Sequence, residues 1–169
     1  MTLGSSLRFR VVWVCVAVVG LALDVVTKVI AVSQLEPGQP VRLLGGLLTL
    51  RLIRNAGAAF SQGERFTPLF AVVAVIVLAY VALRLVPRLG HTGWAVALGL
   101  LSAGVAGNLT DRLFRSPGVL RGHVVDFLEL PHWPIFNVAD MCISAAAAMV
   151  VVLGVIKNVG VDGRRVGRG

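Results

Sequence analysis

A chain of 169 residues is short enough for one domain, and 57% of it is apolar before glycine is counted, above the roughly 45–50% of soluble domains with glycine included. A mean hydropathy of +0.87 excludes an ordinary soluble domain and points to a membrane. The net charge of +8 would suit a nucleic-acid binder, but the basic residues flank apolar runs without an aromatic-basic recognition motif, so no nucleic-acid partner is expected.

Arg8 and Arg10 precede an apolar run over 11–32, the first of four long enough to cross a bilayer, which takes about 20 residues. The start is similar to a secretory signal, with Ala31-Val32-Ser33 as a small-residue cleavage site. The run is long for a signal core and carries Asp24 and Lys28, for which a discarded peptide has no use, so it reads as a retained span. Those two residues stand at i and i+4 in the favourable order and are expected to form a structural ion pair.

Region 33–66 breaks the helical pattern at Pro37, Gly38, Pro40, Gly45 and Gly46, after which Leu48-Thr49-Leu50-Arg51-Leu52 alternates with period two. A small sheet on the outer membrane surface is predicted here. It leads into Asn55-Ala56-Gly57-Ala58-Ala59-Phe60, where small residues permit close backbone approach.

The second span is placed at 67–86 and the third at Thr92–Phe114. Gly99, Ala103 and Gly107 form a small-xxx-small stripe for helix packing. Beyond it, Asn108, Asp111 and Arg112 share one helical face. Asp111 with Arg112 reads either as a helix-end salt bridge with a snorkelling arginine or as part of a site, and Asn108 has no such bland explanation.

The connection 115–135 delivers Asp126 between apolar neighbours, and the fourth span, 136–156, opens with Asn137 and Asp140. Asn137 can cap that helix, and Asp140 suits its positive end. Ser144 and Ala148 offer a packing face, and the glycine- and arginine-rich residues 158–169 read as a loose cytoplasmic tail near anionic lipid. Cys15 and Cys142 are expected at different depths, each a small buried apolar residue.

Four spans put residues 1–10, the loop between spans two and three, and the tail on one side, with Arg8, Arg10, Arg84, Arg88, Lys157, Arg164, Arg165 and Arg168. The other side holds as many basic residues in longer segments, so charge density makes the first side cytoplasmic.

An ionisable group at membrane depth costs roughly 2.5–3.5 kcal/mol or more, so the recurring Asp and Asn residues read as an active site. Asp126 and Asp140 together suggest a carboxylate dyad sharing one proton, although spacing alone leaves Asp111 with Asp140 as a competing pair. His123, Asp126 and His132 have no recognised metal spacing, so neither metal nor cofactor is expected. The rival readings are a small proton-coupled transporter or channel, whose charges should continue through the bilayer, and a structural membrane subunit.

Asp24-xxx-Lys28, Asn55-Ala56-Gly57-Ala58-Ala59-Phe60, Gly107-Asn108-Leu109-Thr110-Asp111-Arg112, Val124-Val125-Asp126-Phe127 and Phe136-Asn137-Val138-Ala139-Asp140 together resemble signal peptidase II, the lipoprotein signal peptidases, over residues 10 to 157. The resemblance implies an α-helical membrane protein with four transmembrane helices, a small periplasmic β-cradle and a mobile segment over the site. It implies an aspartyl endopeptidase of the bacterial cytoplasmic membrane that cuts diacylglyceryl-modified prolipoproteins before the lipidated cysteine, with membrane lipid and the peptide inhibitor globomycin as further partners. Asp126 and Asp140 match the family's catalytic pair. Asn55, Gly57, Asn108, Asp111, Arg112 and Asn137 match positions that hold substrate or support it.

Overall fold

Helices form over the four apolar runs: α1 (Leu3–Gln34), α2 (Gly63–Tyr80), α3 (Thr92–Phe114) and α4 (Val138–Val150). The computed structural model describes residues 3–57 and 63–165, so Ala58-Ala59-Phe60, the segment expected over the site, and the last four residues of the tail lie outside the described residues. Both α2 and α4 run on into π-helical turns, Val81–Leu85 and Val151–Ile156. The resulting spans, Ser6–Gln34, Thr67–Arg88, Thr92–Phe114 and Val138–Ile156, are each long and apolar enough to cross a membrane.

Val18, Leu23, Ile76 and Val155 are among many large apolar side chains left exposed on α1, α2 and the α4 span, which is the surface a lipid-facing bundle requires. In α3, by contrast, 56% of the most apolar window is buried, and this helix packs against each of the other three. Its small-residue stripe faces α1. A methyl group added at Gly99 would sit 2.8 Å from Val16 Cβ, and one at Gly107 would run into the Asp24 carboxylate.

Ser144 and Ala148 do not form the packing face of α4, since both are exposed. Ala139, Cys142 and Ala146 are buried instead, because the helical repeat counted from Ala139 brings 142 and 146 to the same face. Of the two cysteines, Cys142 is buried as expected and Cys15 departs from expectation. Cys15 is exposed, and both free thiols line one apolar groove of about 340 Å³ with Val19, Gly20 and Leu100.

The predicted alternation at Leu48–Leu52 lies in β2 (Leu48–Asn55), which pairs antiparallel with β1 (Val41–Leu43) and with β3 (Val124–Glu129). Strand β3 thus comes from the connection between α3 and α4, outside the 33–66 region. Its Val125 and Phe127 pack with Ala31 near the end of α1, tying the sheet to the bundle.

At the other end, Val81, Val86, Leu89, Trp94, Ala95, Leu98 and Leu153 form an apolar cluster. The chain after α4 is no loose tail there. Trp94 Nε1 donates to the Val159 carbonyl at 2.8 Å, Gly90 N donates to Val161 O at 3.0 Å, and Val159 pairs with Arg165 in an antiparallel bridge. Val159 and Val161 pack against the cluster, and that burial draws the segment back onto the bundle.

Candidate active site

Asp126 sits on β3 opposite Ile53 of β2, which makes Asn55 its diagonal neighbour on the same face. The carboxylate is 3% exposed and accepts from Asn55 Nδ2 at 2.9 Å. Asn55 Oδ1 in turn accepts from Gly57 N at 2.8 Å, closing a local turn. Gly57 has φ +102°, a conformation that side chains resist, and a Cβ there would meet the Phe70 ring at 2.8 Å.

Asp140 arrives from the first turn of α4. Asn137 caps that helix by accepting from Asp140 N at 2.9 Å, while Asp140 Oδ2 accepts from Asn137 N at 3.2 Å, a reciprocal capping box. The cap does more than end a helix. Asn137 Nδ2 lies 2.6 Å from Asp126 Oδ1, 3.2 Å from Asn108 Oδ1 and 3.3 Å from Val125 O. One asparagine therefore donates to both carboxylates, to Asp126 from its side chain and to Asp140 from its backbone.

Asn108 of α3 completes the pair by donating from Nδ2 to Asp140 Oδ1 at 2.9 Å. Its oxygen accepts from Lys28 Nζ at 3.1 Å. The predicted ion pair of Lys28 with Asp24 is present at 2.8 Å, and Lys28 makes a second one to Asp111 Oδ2 at the same distance.

Asp111 does not pair with Arg112. Its partners are Lys28 and Arg115, and it also accepts from Val125 N at 3.2 Å. Consecutive helix residues diverge by about 100°, whereas Arg115 is one turn on, so the i, i+4 spacing was the usable signal in the sequence. Arg112 instead donates to the Asn108 carbonyl at 3.1 Å and lies over Phe70, 5.7 Å from the ring centre. Its buried Nε has no hydrogen-bond partner among the described residues.

Burial pushes the Asp126 carboxyl from 3.8 up to about 6; the charge of Asp140 adds to the rise, while hydrogen bonds from Asn55 and Asn137 and the charge of Lys28 oppose it. Two carboxylates joined through one asparagine, one of them with a pKa raised well above the ordinary aspartate range, are suited to general acid–base work on water. Among the described residues no group of His, Cys, Asp and Glu side chains is placed to hold a metal ion, and His123, Asp126 and His132 are not gathered into one.

Residues 16–156 match the signal peptidase (SPase) II family. The lipoprotein signal peptidase of Rhodococcus jostii is 48% identical over 158 residues, covering 94% of this chain and 79% of the relative. That of Mycobacterium tuberculosis is 47% identical over 156 residues, covering 90% and 74%. A bacterial membrane enzyme solved by the in meso method at 2.3 Å resolution superposes with a TM-score of 0.68 at 26% identity, covering 92% of this chain and 90% of the other. Fold and matches together define a multi-pass membrane endopeptidase of the aspartic type. The chain belongs to the signal peptidase II family.

Proposed function

We propose that Asp126 and Asp140 are the catalytic dyad of a lipoprotein signal peptidase that removes the signal peptide from diacylglyceryl-modified prolipoproteins, cutting before the lipidated cysteine. The observation that carries this reading is Asn137, whose side chain and backbone nitrogens reach one oxygen of each carboxylate. The competing pair of Asp111 with Asp140 is disfavoured because Asp111 is engaged by Lys28, Arg115 and Val125 N.

In this mechanism Asp126 carries the shared proton, in keeping with its burial, and Asp140, in the first turn of α4, is the base. Asp140 takes a proton from water as the water oxygen bonds to the scissile carbonyl carbon, and Asp126 gives its proton to the carbonyl oxygen. The tetrahedral diol collapses when Asp140 returns a proton to the leaving amide nitrogen. The C–N bond breaks, a diol proton goes back to Asp126, and the dyad is restored without a covalent intermediate.

Asn55, Asn108 and Asn137 hold the carboxylates, while Gly57 and Arg112, with its unpartnered Nε, contact the peptide backbone. The site faces the outer leaflet of the bacterial cytoplasmic membrane with both termini cytoplasmic, which leaves the substrate's acyl chains in lipid while the peptide enters. Asp24, Lys28, Asp111 and Asp140 are linked at one end of the bundle and do not continue along it, which favours an interfacial peptidase over a proton-coupled channel.

The test is cleavage of a diacylated prolipoprotein peptide by purified protein with chelator present, globomycin serving as the inhibitor control. Asp126→Asn and Asp140→Asn should each abolish cleavage in folded protein, and Asp111→Asn should only reduce it. A folded Asp126→Asn enzyme with near wild-type turnover would falsify the assignment.

A further inference from the structure

Lys28 is 1% exposed, and its ammonium has three hydrogens and no acceptor. Three acceptors surround it: Asp24 Oδ2 at 2.8 Å, Asp111 Oδ2 at 2.8 Å and Asn108 Oδ1 at 3.1 Å. A buried ammonium needs an acceptor for each hydrogen whatever its role, so what distinguishes Lys28 is where its three acceptors lead.

Each of the three partners leads to the site. Asp24 Oδ1 accepts from Ala139 N at 2.8 Å, immediately ahead of Asp140 in the chain. Asp111 Oδ2 accepts from Val125 N at 3.2 Å, immediately ahead of Asp126. An ammonium can only donate, so the oxygen of Asn108 must face Lys28, and this turns its NH2 toward Asp140 Oδ1 at 2.9 Å. With Arg115 on the far oxygen of Asp111, two carboxylates meet two cations and the cluster is neutral.

We propose that Lys28 is a positioning residue for both carboxylates of the site: it ties together Asp24 and Asp111, which anchor the backbone just ahead of Asp140 and Asp126, and it fixes the Asn108 amide in the orientation that donates to Asp140. This rests on the dyad reading above. Without the ammonium, the Asn108 oxygen keeps only the longer contact from Asn137 Nδ2 at 3.2 Å, so the orientation that donates to Asp140 is held less firmly, and the two backbone anchors lose their common tether. Substrate contacts at Arg112 and Gly57 are left in place, so the loss falls on turnover and not on binding.

The experiment is steady-state cleavage of the diacylated prolipoprotein peptide by full-length protein in lipid or detergent. Asp24→Asn combined with Lys28→Met removes one acid with the base, so the cluster stays neutral, and the asparagine oxygen still accepts from Ala139 N. We expect this variant to fold and to keep KM within about 2-fold while kcat falls at least ~10-fold, the signature of a lost transition-state arrangement. In a second variant, Lys28→Arg, the charge is kept but a planar fork replaces three diverging donors, and kcat should fall similarly with melting temperature retained.

A kcat within about 2-fold of wild type in either folded variant overturns the proposal, as does a loss confined to KM. If neither variant can be obtained folded, Lys28 is a folding determinant and the positioning role is abandoned. Asp126→Asn assayed alongside separates the two ideas: activity there defeats the dyad reading itself, whereas a dead Asp126→Asn beside fully active Lys28 variants defeats this inference alone.

Discussion

Near Trp94, the spans meet through Val81, Leu89, Leu98 and Leu153, and two indoles add hydrogen bonds, Trp94 to the Val159 carbonyl and Trp13 to Ser102. At the opposite end, α1, α3 and α4 are joined by hydrogen bonds and ion pairs among Asp24, Lys28, Asn108, Asp111 and Asn137. Lipid tails are as apolar as leucine, so apolar contact alone does little to tell one helix face from another inside a bilayer. Polar contacts have direction. The first end holds the helices together, and the second fixes where side chains point, which is what the proposed dyad requires.

The largest effect that separates the two ends should come from Asn137→Ala. It removes the helix cap and the amide shared with Asp126, so cleavage should drop by about 100-fold while some turnover remains, because Asn55 and Asn108 still hold the carboxylates. Wild-type cleavage by the folded variant would reduce Asn137 to a cap.

Acidity offers a second contrast. Asp126 has a folded pKa near 6 against 3.8 when exposed, so the folded protein binds more protons between those values. The contribution of Asp126 to stability is therefore greatest below about 4, falls as pH rises through the window, and is flat above about 6, a change of roughly 3 kcal/mol at most. Melting curves between pH 4 and 7 should show this slope in wild type and lose it in Asp126→Asn. An unchanged slope in the variant would place the titrating group elsewhere.

The smallest effect belongs to the apolar end. Trp94→Phe keeps most of the packing but deletes the bond to Val159 O, so stability should fall by about 1 kcal/mol, the segment after α4 should exchange its amides faster, and kcat should hold. A matching fall in kcat would mean that the ends are coupled through α3.

Much of this arrangement was legible in the sequence for physical reasons. A span announces itself by length and apolarity, and β2 by alternation, so the helices and one strand could be read locally. Strand β3 could not: Val124-Val125-Asp126-Phe127 is buried on both faces and lacks alternation, and it becomes a strand only because β2 lies beside it. The grouping of Asp24, Asn108, Asp126 and Asp140 likewise depends on helix crossings that no local pattern encodes. Lys28 advertised Asp24 at i+4 spacing but not Asp111, which lies on another helix. The folding back of 157–165 was hidden for a similar reason, since its composition suggests a solvated tail and the burial of Val159 and Val161 against Trp94 outweighs that.

The connection between the two aspartates has a consequence for how such chains can diverge. Phe136 N donates to Leu128 O and Leu128 N to Phe136 O, each at 2.9 Å, and this bridge pinches off residues 129–135 before the chain reaches Asn137. Whatever is spliced between the pinch points is insulated from the carboxylates on either side. Each doubling of loop length costs only about 0.6 kcal/mol of closure entropy, so this segment is a natural socket for insertions. An insertion made there in this chain should lengthen the loop while leaving the Leu128–Phe136 bridge between Asp126 and Asn137 in place.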